Sequence, residues 1–216
     1  GEGDADQTIV TYTPATDAEN DAKYVLSIDS VSNITLQDLP ISMTDTTTSY
    51  VVAVNHSANI TFNKVTFATP HSVTPDLLRI GTSNNLSFTD NNFYGSSNQI
   101  KTEDAITTLN INNNRFYDFG TTALNLSAIN NLQINNNSFS TDTSKIELIA
   151  VKLSQISNSL SLMSNRFFLH KGTADRIAIE LKNSTFTQNT AAKIANNSVS
   201  IVGPNVSTNF ESYGIS

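Results

Sequence analysis

One nine-residue phrase recurs along the chain and restricts the fold more than any other feature. With Φ for an apolar residue, it reads Asn-Φ-x-Φ-x-x-Asn-x-Phe. Matches are "NITLQDLPI" from Asn33, "NITFNKVTF" from Asn59, "NLSFTDNNF" from Asn85, "TLNINNNRF" from Thr108, "NLQINNNSF" from Asn131, "SLSLMSNRF" from Ser159 and "NSTFTQNTA" from Asn183. The second Φ falls at Leu36, Phe62, Phe88, Ile111, Ile134, Leu162 and Phe186, with gaps of 26, 26, 23, 23, 28 and 24 residues. A weaker eighth register puts Val10 of "QTIV" 26 residues before Leu36. Self-similarity at such a period marks units that cannot bury an apolar face alone and must stack to do so.

A second short alternating run precedes each copy: "YVLSI", "YVVAV", "LLRI", "ALNL", "IELIAVKL" and "IAIEL", with "DAI" at Asp104 to Ile106 serving between the third and fourth copies. Alternation with period two reads as strand. Each unit is therefore strand, tight bend, strand, Asn turn, short strand and variable loop. Helical repeats and propeller blades need longer units, and the leucine-rich pattern is missing. Three strands and three turns fit such a unit at about 3.3 Å per strand residue. The expected fold is all-β, a single-stranded parallel β-helix (solenoid) of about seven to eight coils, with an Asn ladder and a stacked Phe interior. It spans residues 1–216 as one domain. The register breaks after Ile201, and 202–216 is read as a possible cap over an open strand edge. The opening "GEGDADQTIV" reads as the interior of a longer chain.

The recurrent asparagine and phenylalanine have separate duties. At the third position after the second Φ stand Leu39, Val65, Asn91, Asn114, Asn137, Asn165 and Asn189. Asparagine tolerates the left-handed conformation of a sharp bend, and its amide can bond the equivalent amide one coil away. Asn91, Asn114, Asn137, Asn165 and Asn189 are therefore the expected ladder. Two residues on come Ile41, Phe67, Phe93, Phe116, Phe139, Phe167 and Ala191, an aromatic stack inside the coil.

Composition narrows the partners. The formal net charge is −7 and the twelve Lys and Arg are scattered singly, which speaks against nucleic acid. There is no cysteine, so there is neither a disulfide framework nor a thiolate metal site. No apolar run is long enough for a helical membrane span. The three histidines, His56, His71 and His170, lack metal-ligand spacing. No cofactor is expected; calcium stays open as an alternative, although no Asp/Glu cluster for it stands in the sequence.

The Asn-Φ-x-Φ-x-x-Asn-x-Phe coils from Asn33 to Ala191, with "GEGDADQTIV" as the lead into the first coil, resemble the right-handed parallel β-helix of the pectin-lyase-like superfamily. The resemblance implies that the strand before each phrase forms a first sheet whose outer face carries a sugar-binding groove. Outward positions there would be Ser27, Ala53, Arg79, Asn125, Lys152 and Glu180, with Asp29, Asn55, Ser127 and Lys182 beside them. The parity in the fourth and last coils stays open by one residue. A superfamily of this breadth holds lyases, hydrolases, esterases, tailspikes and adhesins, so the fold alone selects no activity.

A lyase acting on uronic acids needs a Lys or Arg base and a cation for the substrate carboxylate; Arg79 and Lys152 are the candidates. A hydrolase needs paired carboxylates. The close acidic pairs are Glu103/Asp104 and Asp142 with Glu147, while the Asn-Thr-Asp and Gly-His-Gly signatures of the hydrolases are missing. Asp38, Asp90 and Asp118 sit at turns and read as bend caps. His71 lies in the Pro-bearing loop "ATPHSVTPD". On strict alternation Arg115 and Arg166 point outward two coils apart, as do Tyr94 and Tyr117, a set that can stack on and bond sugar rings. Asn33, Asn59, Asn85, Asn125 and Asn183 stand in Asn-x-Ser/Thr triplets, which Asn bends followed by Ser/Thr-bearing strands produce without any modification.

The expected function is a secreted or surface-exposed bacterial module that binds polysaccharide without catalysis, through Arg79, Asn125, Lys152, Lys182, Tyr94, Tyr117, Arg115 and Arg166. Alternatives are a fragment of a polysaccharide lyase of alginate, chondroitin or pectate type, and an adhesin passenger domain. For the last, "FTDN" and "FTQN" resemble the Phe-x-x-Asn repeats of chlamydial polymorphic membrane proteins, without the partner Gly-Gly-Ala-Ile motif.

Overall fold

The computed structural model describes residues 10–12, 24–43, 50–69, 76–141, 148–170, 175–186, 192–202 and 212–215. None of these is helical, so none forms a helix long and apolar enough to cross a membrane. The chain coils as a parallel β-solenoid with three faces. The first face holds Leu26–Asp29, Tyr50–Asn55, Asp76–Ile80, Asn98–Thr102, Arg176–Lys182 and Ser212–Ile215. The second holds Ser32–Gln37, Ser57–Asn63, Ser83–Thr89, Ile106–Asn112 and Ala192–Ala195. Two long strands, Thr122–Asn135 and Leu148–Met163, run through both faces. The third face is a separate sheet of Val10–Tyr12, Pro40–Met43, Thr66–Ala68, Asn92–Tyr94, Arg115–Tyr117, Ser138–Thr141, Arg166–His170 and Ser198–Val202.

Each strand pairs in parallel with its equivalents one coil before and after. Phe88, Ile111 and Ile134 stand in one register column, as do Phe67, Phe93, Phe116, Phe139 and Phe167. The rings of this second column stack face to face at 4.6 to 4.9 Å. That distance is the spacing between neighbouring strands, so the ladder itself sets the stacking distance.

Beside the Phe column runs the amide ladder. Oδ1 of Asn114 accepts from the backbone N–H of Asn91 at 2.9 Å and from its Nδ2 at 3.0 Å. The same pair of bonds recurs from Asn114 to Asn137, from Asn137 to Asn165 and from Asn165 to Asn197. Each Nδ2 makes a second bond to a carbonyl of the preceding coil, such as Asn114 to Phe88 at 2.9 Å and Asn137 to Ile111 at 2.8 Å. Both hydrogens and both lone pairs are thereby used inside a dry core.

Four expectations need correction. The last member of the ladder is Asn197, not Asn189, which lies outside the described residues; Leu162 pairs with Ile194 and Phe167 with Val199. Phe186 and Ala191 are therefore not the column members. The true final phrase, "AAKIANNSV", sits 32 residues beyond its predecessor and lacks the phenylalanine. Second, the ladder asparagine does not take the left-handed conformation. The residue before it does: Asp38, Lys64, Asp90, Asn113, Asn136, Ser164 and Asn196 have φ between 51 and 60°. The bend and the ladder are adjacent duties held by different residues. Third, the ladder Asn and the column Phe occur together in only four of the expected seven to eight coils, at Asn91/Phe93, Asn114/Phe116, Asn137/Phe139 and Asn165/Phe167, because Leu39, Val65, Ile41 and Val199 take those places at the ends. Fourth, the first-face strand of the fourth coil is Asn98–Thr102, not the "DAI" run. At the C-terminal end, Ser212–Ile215 pairs with Arg176, Ile177 and Ile179, adding a further strand to the first face.

Candidate functional site

The first face presents a charged row. Parallel pairing places Ser27, Ala53, Arg79, Lys101, Asn125, Lys152 and Glu180 in one column. Six of these seven are the outward residues expected from alternation; Lys101 was hidden by the misplaced strand. A spacing rule would have found it, since Lys101 follows Arg79 by 22 residues, close to the gap from Phe88 to Ile111. Asp29 pairs with Asn55, and Ser127 with Ser154, which leads to Lys182 in a neighbouring column.

Alternation fails at the start of these strands. The paired register skips Val51, Leu77, Gln99, Ala123 and Ala150. Leu77 and Leu78 are consecutive and both fully buried. Asp76 is thereby carried to the same side as Arg79, three residues on. Its Oδ2 accepts from Arg79 Nε at 3.0 Å and lies 3.7 Å from Lys101 Nζ, while Oδ1 accepts from Asn98 Nδ2 at 2.7 Å. Glu103 lies 3.4 Å from Arg79 and 3.6 Å from Lys101. The Arg79 guanidinium also covers the Tyr50 ring at 5.0 Å, and Tyr50 stacks on Tyr24 at 5.9 Å.

This network gives Arg79 a structural occupation. A base must be free to take a proton, and Arg79 is held between two carboxylates and an aromatic ring. Lys152 lies three strand spacings away, roughly 14 Å, so the two lyase candidates do not converge on one point. Lys182 Nζ bonds Glu180 Oε1 at 2.6 Å; Glu180 is buried, with Oε2 unpartnered. Among the described residues no three His, Asp or Glu side chains are grouped to hold a metal ion. His56 Nδ1 meets the Asp29 carboxylate at 3.1 Å on the open surface, and His71 lies outside the described residues.

The third face has a different character. Its strands are three to five residues long, and inward Phe alternates with two outward positions. One outward column reads Thr66, Asn92, Arg115, Ser138, Arg166 and Ser198; the other reads Ala68, Tyr94, Tyr117, Ser140, Phe168 and Ser200. The structure thus brings Tyr94, Tyr117, Arg115 and Arg166 onto one face, as alternation requires, and separates them from Arg79, Asn125 and Lys152. Phe168, 48% exposed, continues the aromatic column. It was overlooked because the second Phe of "RFFLH" reads as core. Tyr94 is 40% exposed. A cavity of about 360 Å³ opens beside this column, lined by Tyr94, Tyr117, Asp118, Ser140 and Thr141.

The wall of the cavity is fixed by local backbone. Asp118 takes a left-handed φ of 57° and Gly95 one of 78°. A Cβ on Gly95 would lie 2.4 Å from the Thr69 carbonyl oxygen, so only glycine fits. Gln99, fully buried, donates through Nε2 to the Gly95 and Phe93 carbonyls at 3.1 and 3.3 Å and to that of Tyr117. It ties the turns behind Tyr94 and Tyr117 together. Asp38 and Asp90 also have left-handed φ, which agrees with their reading as bend residues. Of the Asn-x-Ser/Thr asparagines, Asn33, Asn59, Asn85 and Asn183 take left-handed φ, the first three near the start of second-face strands, whereas Asn125 lies in a first-face strand without that conformation.

Comparison of the chain with protein-family models, with curated proteins and with solved structures found no match. The assignment of a function rests on the geometry alone.

Proposed function

We propose that this chain is a secreted or surface-exposed β-helix module, of the pectin-lyase-like kind, that binds polysaccharide along its third face and carries out no catalysis there. The observation that carries this reading is the outward aromatic column of exposed Tyr94 and half-buried Tyr117 beside a cavity edged by Asp118, Ser140 and Thr141. Sugar rings offer apolar C–H faces that suit aromatic platforms, and hydroxyls that suit carboxylate and hydroxyl partners. The rigid solenoid holds these groups at fixed strand spacing, which lowers the entropic cost of engaging a long ligand. The pairing of Arg79 with Asp76 and Glu103 speaks against a lyase base on the first face.

The test is binding to a panel of purified polysaccharides by affinity electrophoresis, with Tyr94→Ala and Tyr117→Ala as variants. Retardation by at least one polymer, lost in both variants while the thermal midpoint is kept, is the expected result. Binding that survives both substitutions, or no binding across the panel, removes the proposal.

A further inference from the structure

On the third face two coils separated by one are alike, with Asn92 and Tyr94 outward in the coil before them. "RFY" at Arg115–Tyr117 and "RFF" at Arg166–Phe168 present the same outward pair, an arginine and an aromatic ring. The coil between them, Ser138–Phe139–Ser140, presents two serines instead. The pairing is continuous: Arg115 stands beside Ser138 and Ser138 beside Arg166, and likewise Tyr117, Ser140 and Phe168. Arg115 and Arg166 are exposed, and among the described residues neither is in an ion pair.

Two strand spacings amount to roughly 9–10 Å, and two residues along a strand to roughly 6.6 Å. The face therefore offers two cations roughly 9–10 Å apart, with Tyr117 and Phe168 at the same interval beside them and Tyr94 one coil before Tyr117. That interval is close to the length of a disaccharide in an extended chain. The intervening serines are small, and at Ser140 the surface falls away into the cavity lined by Tyr94, Tyr117, Asp118 and Thr141. A sugar over this coil meets hydroxyls, a carboxylate and open space rather than a cation.

On the reading that this face binds polysaccharide, we infer that its ligand is a linear polymer lying along the solenoid axis with one anionic group, carboxylate or sulfate, on every second sugar. The acidic sugars sit over Tyr117 and Phe168 with their charges against Arg115 and Arg166. The neutral sugar between them sits over Ser140, its substituents directed into the cavity. The net charge of −7 repels a polymer charged on every sugar, while two local arginines compensate one charged on alternate sugars.

Calorimetric titration of the chain with three octasaccharides of equal length tests this: hyaluronan, which alternates a uronate with a neutral amino sugar; oligogalacturonate, acidic at every sugar; and a neutral cello-oligosaccharide. Desulfated chondroitin, with a carboxylate on alternate sugars, and a keratan oligosaccharide sulfated only on its amino sugars separate carboxylate from sulfate recognition. At least one of these alternating polymers, hyaluronan included, should bind at least tenfold more tightly than oligogalacturonate and the cello-oligosaccharide. The double variant Arg115→Gln/Arg166→Gln should lose about tenfold or more for the alternating polymers alone, with the loss reproduced by raised salt. Ser138→Arg, which fills the missing position, should move the preference toward oligogalacturonate. Equal affinity for the three polymers, or no effect of the double variant, overturns the alternating-charge inference while leaving polysaccharide binding in place. Absence of binding to all of them removes both.

Discussion

Oδ1 of Asn137 receives two hydrogen bonds from Asn114 one coil earlier, from the backbone N–H at 2.8 Å and from Nδ2 at 3.1 Å. One side-chain oxygen thus satisfies a backbone donor at the bend and passes the ladder on. Asn137→Ala leaves the Asn114 backbone N–H unpaired and strips one bond each from Asn114 Nδ2, the Ile111 carbonyl and Asn165 Oδ1, in a site that is 1% exposed. A loss of about 2–4 kcal/mol is expected, read by urea unfolding. Asn137→Asp keeps the acceptor but loses the donor to Ile111 and buries a charge, so it should be at least as costly at neutral pH.

Phe116 lies between Phe93 and Phe139 at 4.6 and 4.8 Å. Phe116→Ala opens a cavity in the middle of the column and should cost about 3–5 kcal/mol. Phe116→Leu should cost about 1–2 kcal/mol. The same column already accepts Ile41 and Val199 at its ends, so Phe167→Ile, next to Val199, should be milder than Phe116→Ile. Thermal denaturation of the four variants provides the ranking.

Lys64 occupies the left-handed bend with φ 54°, where its neighbours along the solenoid are Asp90, Asn113 and Asn136. A lysine side chain has no local bond that relieves this conformation. Lys64→Asn should therefore stabilise the protein by about 0.5–1 kcal/mol. Asn113→Val, which forces a branched side chain into the same conformation, should destabilise it by about 1–2 kcal/mol. Equal thermal midpoints for the two variants would refute this assignment of the bend.

Arg176 is buried, with Nε donating to the His170 carbonyl at 2.8 Å and Nη1 to that of Asp175 at 3.1 Å. Burial pushes its pKa below the ordinary guanidinium value, and the nearby Asp175 charge opposes that shift. A base with a depressed folded pKa pays for its charge below that pKa and is relieved as pH rises through it. Arginine remains charged throughout the neutral range, so this contribution is constant there. Arg176→Ala should cost about 2–3 kcal/mol, by the same amount at mildly acidic and mildly alkaline pH. A cost that changes between the two conditions would contradict it.

Much of the interior was legible because inward residues obey a strict arithmetic. Phe88, Ile111 and Ile134 could be aligned by counting, since each must fill the same slot in a shared core. The outer surface was legible only where alternation held, as for Arg115, Tyr117 and Arg166. It was lost where two consecutive leucines, Leu77 and Leu78, both turned inward and carried Asp76 to Arg79. The fourth coil was misread because "DAI" resembles a strand as well as "NQIKT" does. Only hydrogen-bond register distinguishes them.

Repetition of apolar residues, asparagine and phenylalanine was enough to dictate a coiled parallel β architecture, because no other packing buries so regular a pattern. Which charged and aromatic side chains meet outside it was decided by the folded chain. Outward residues bear no packing constraint. Their neighbours are set by how many residues each loop inserts, as the 32-residue step from Asn165 to Asn197 demonstrates. The Asp76–Arg79–Lys101–Glu103 network and the two-coil spacing of Arg115 and Arg166 are consequences of that register.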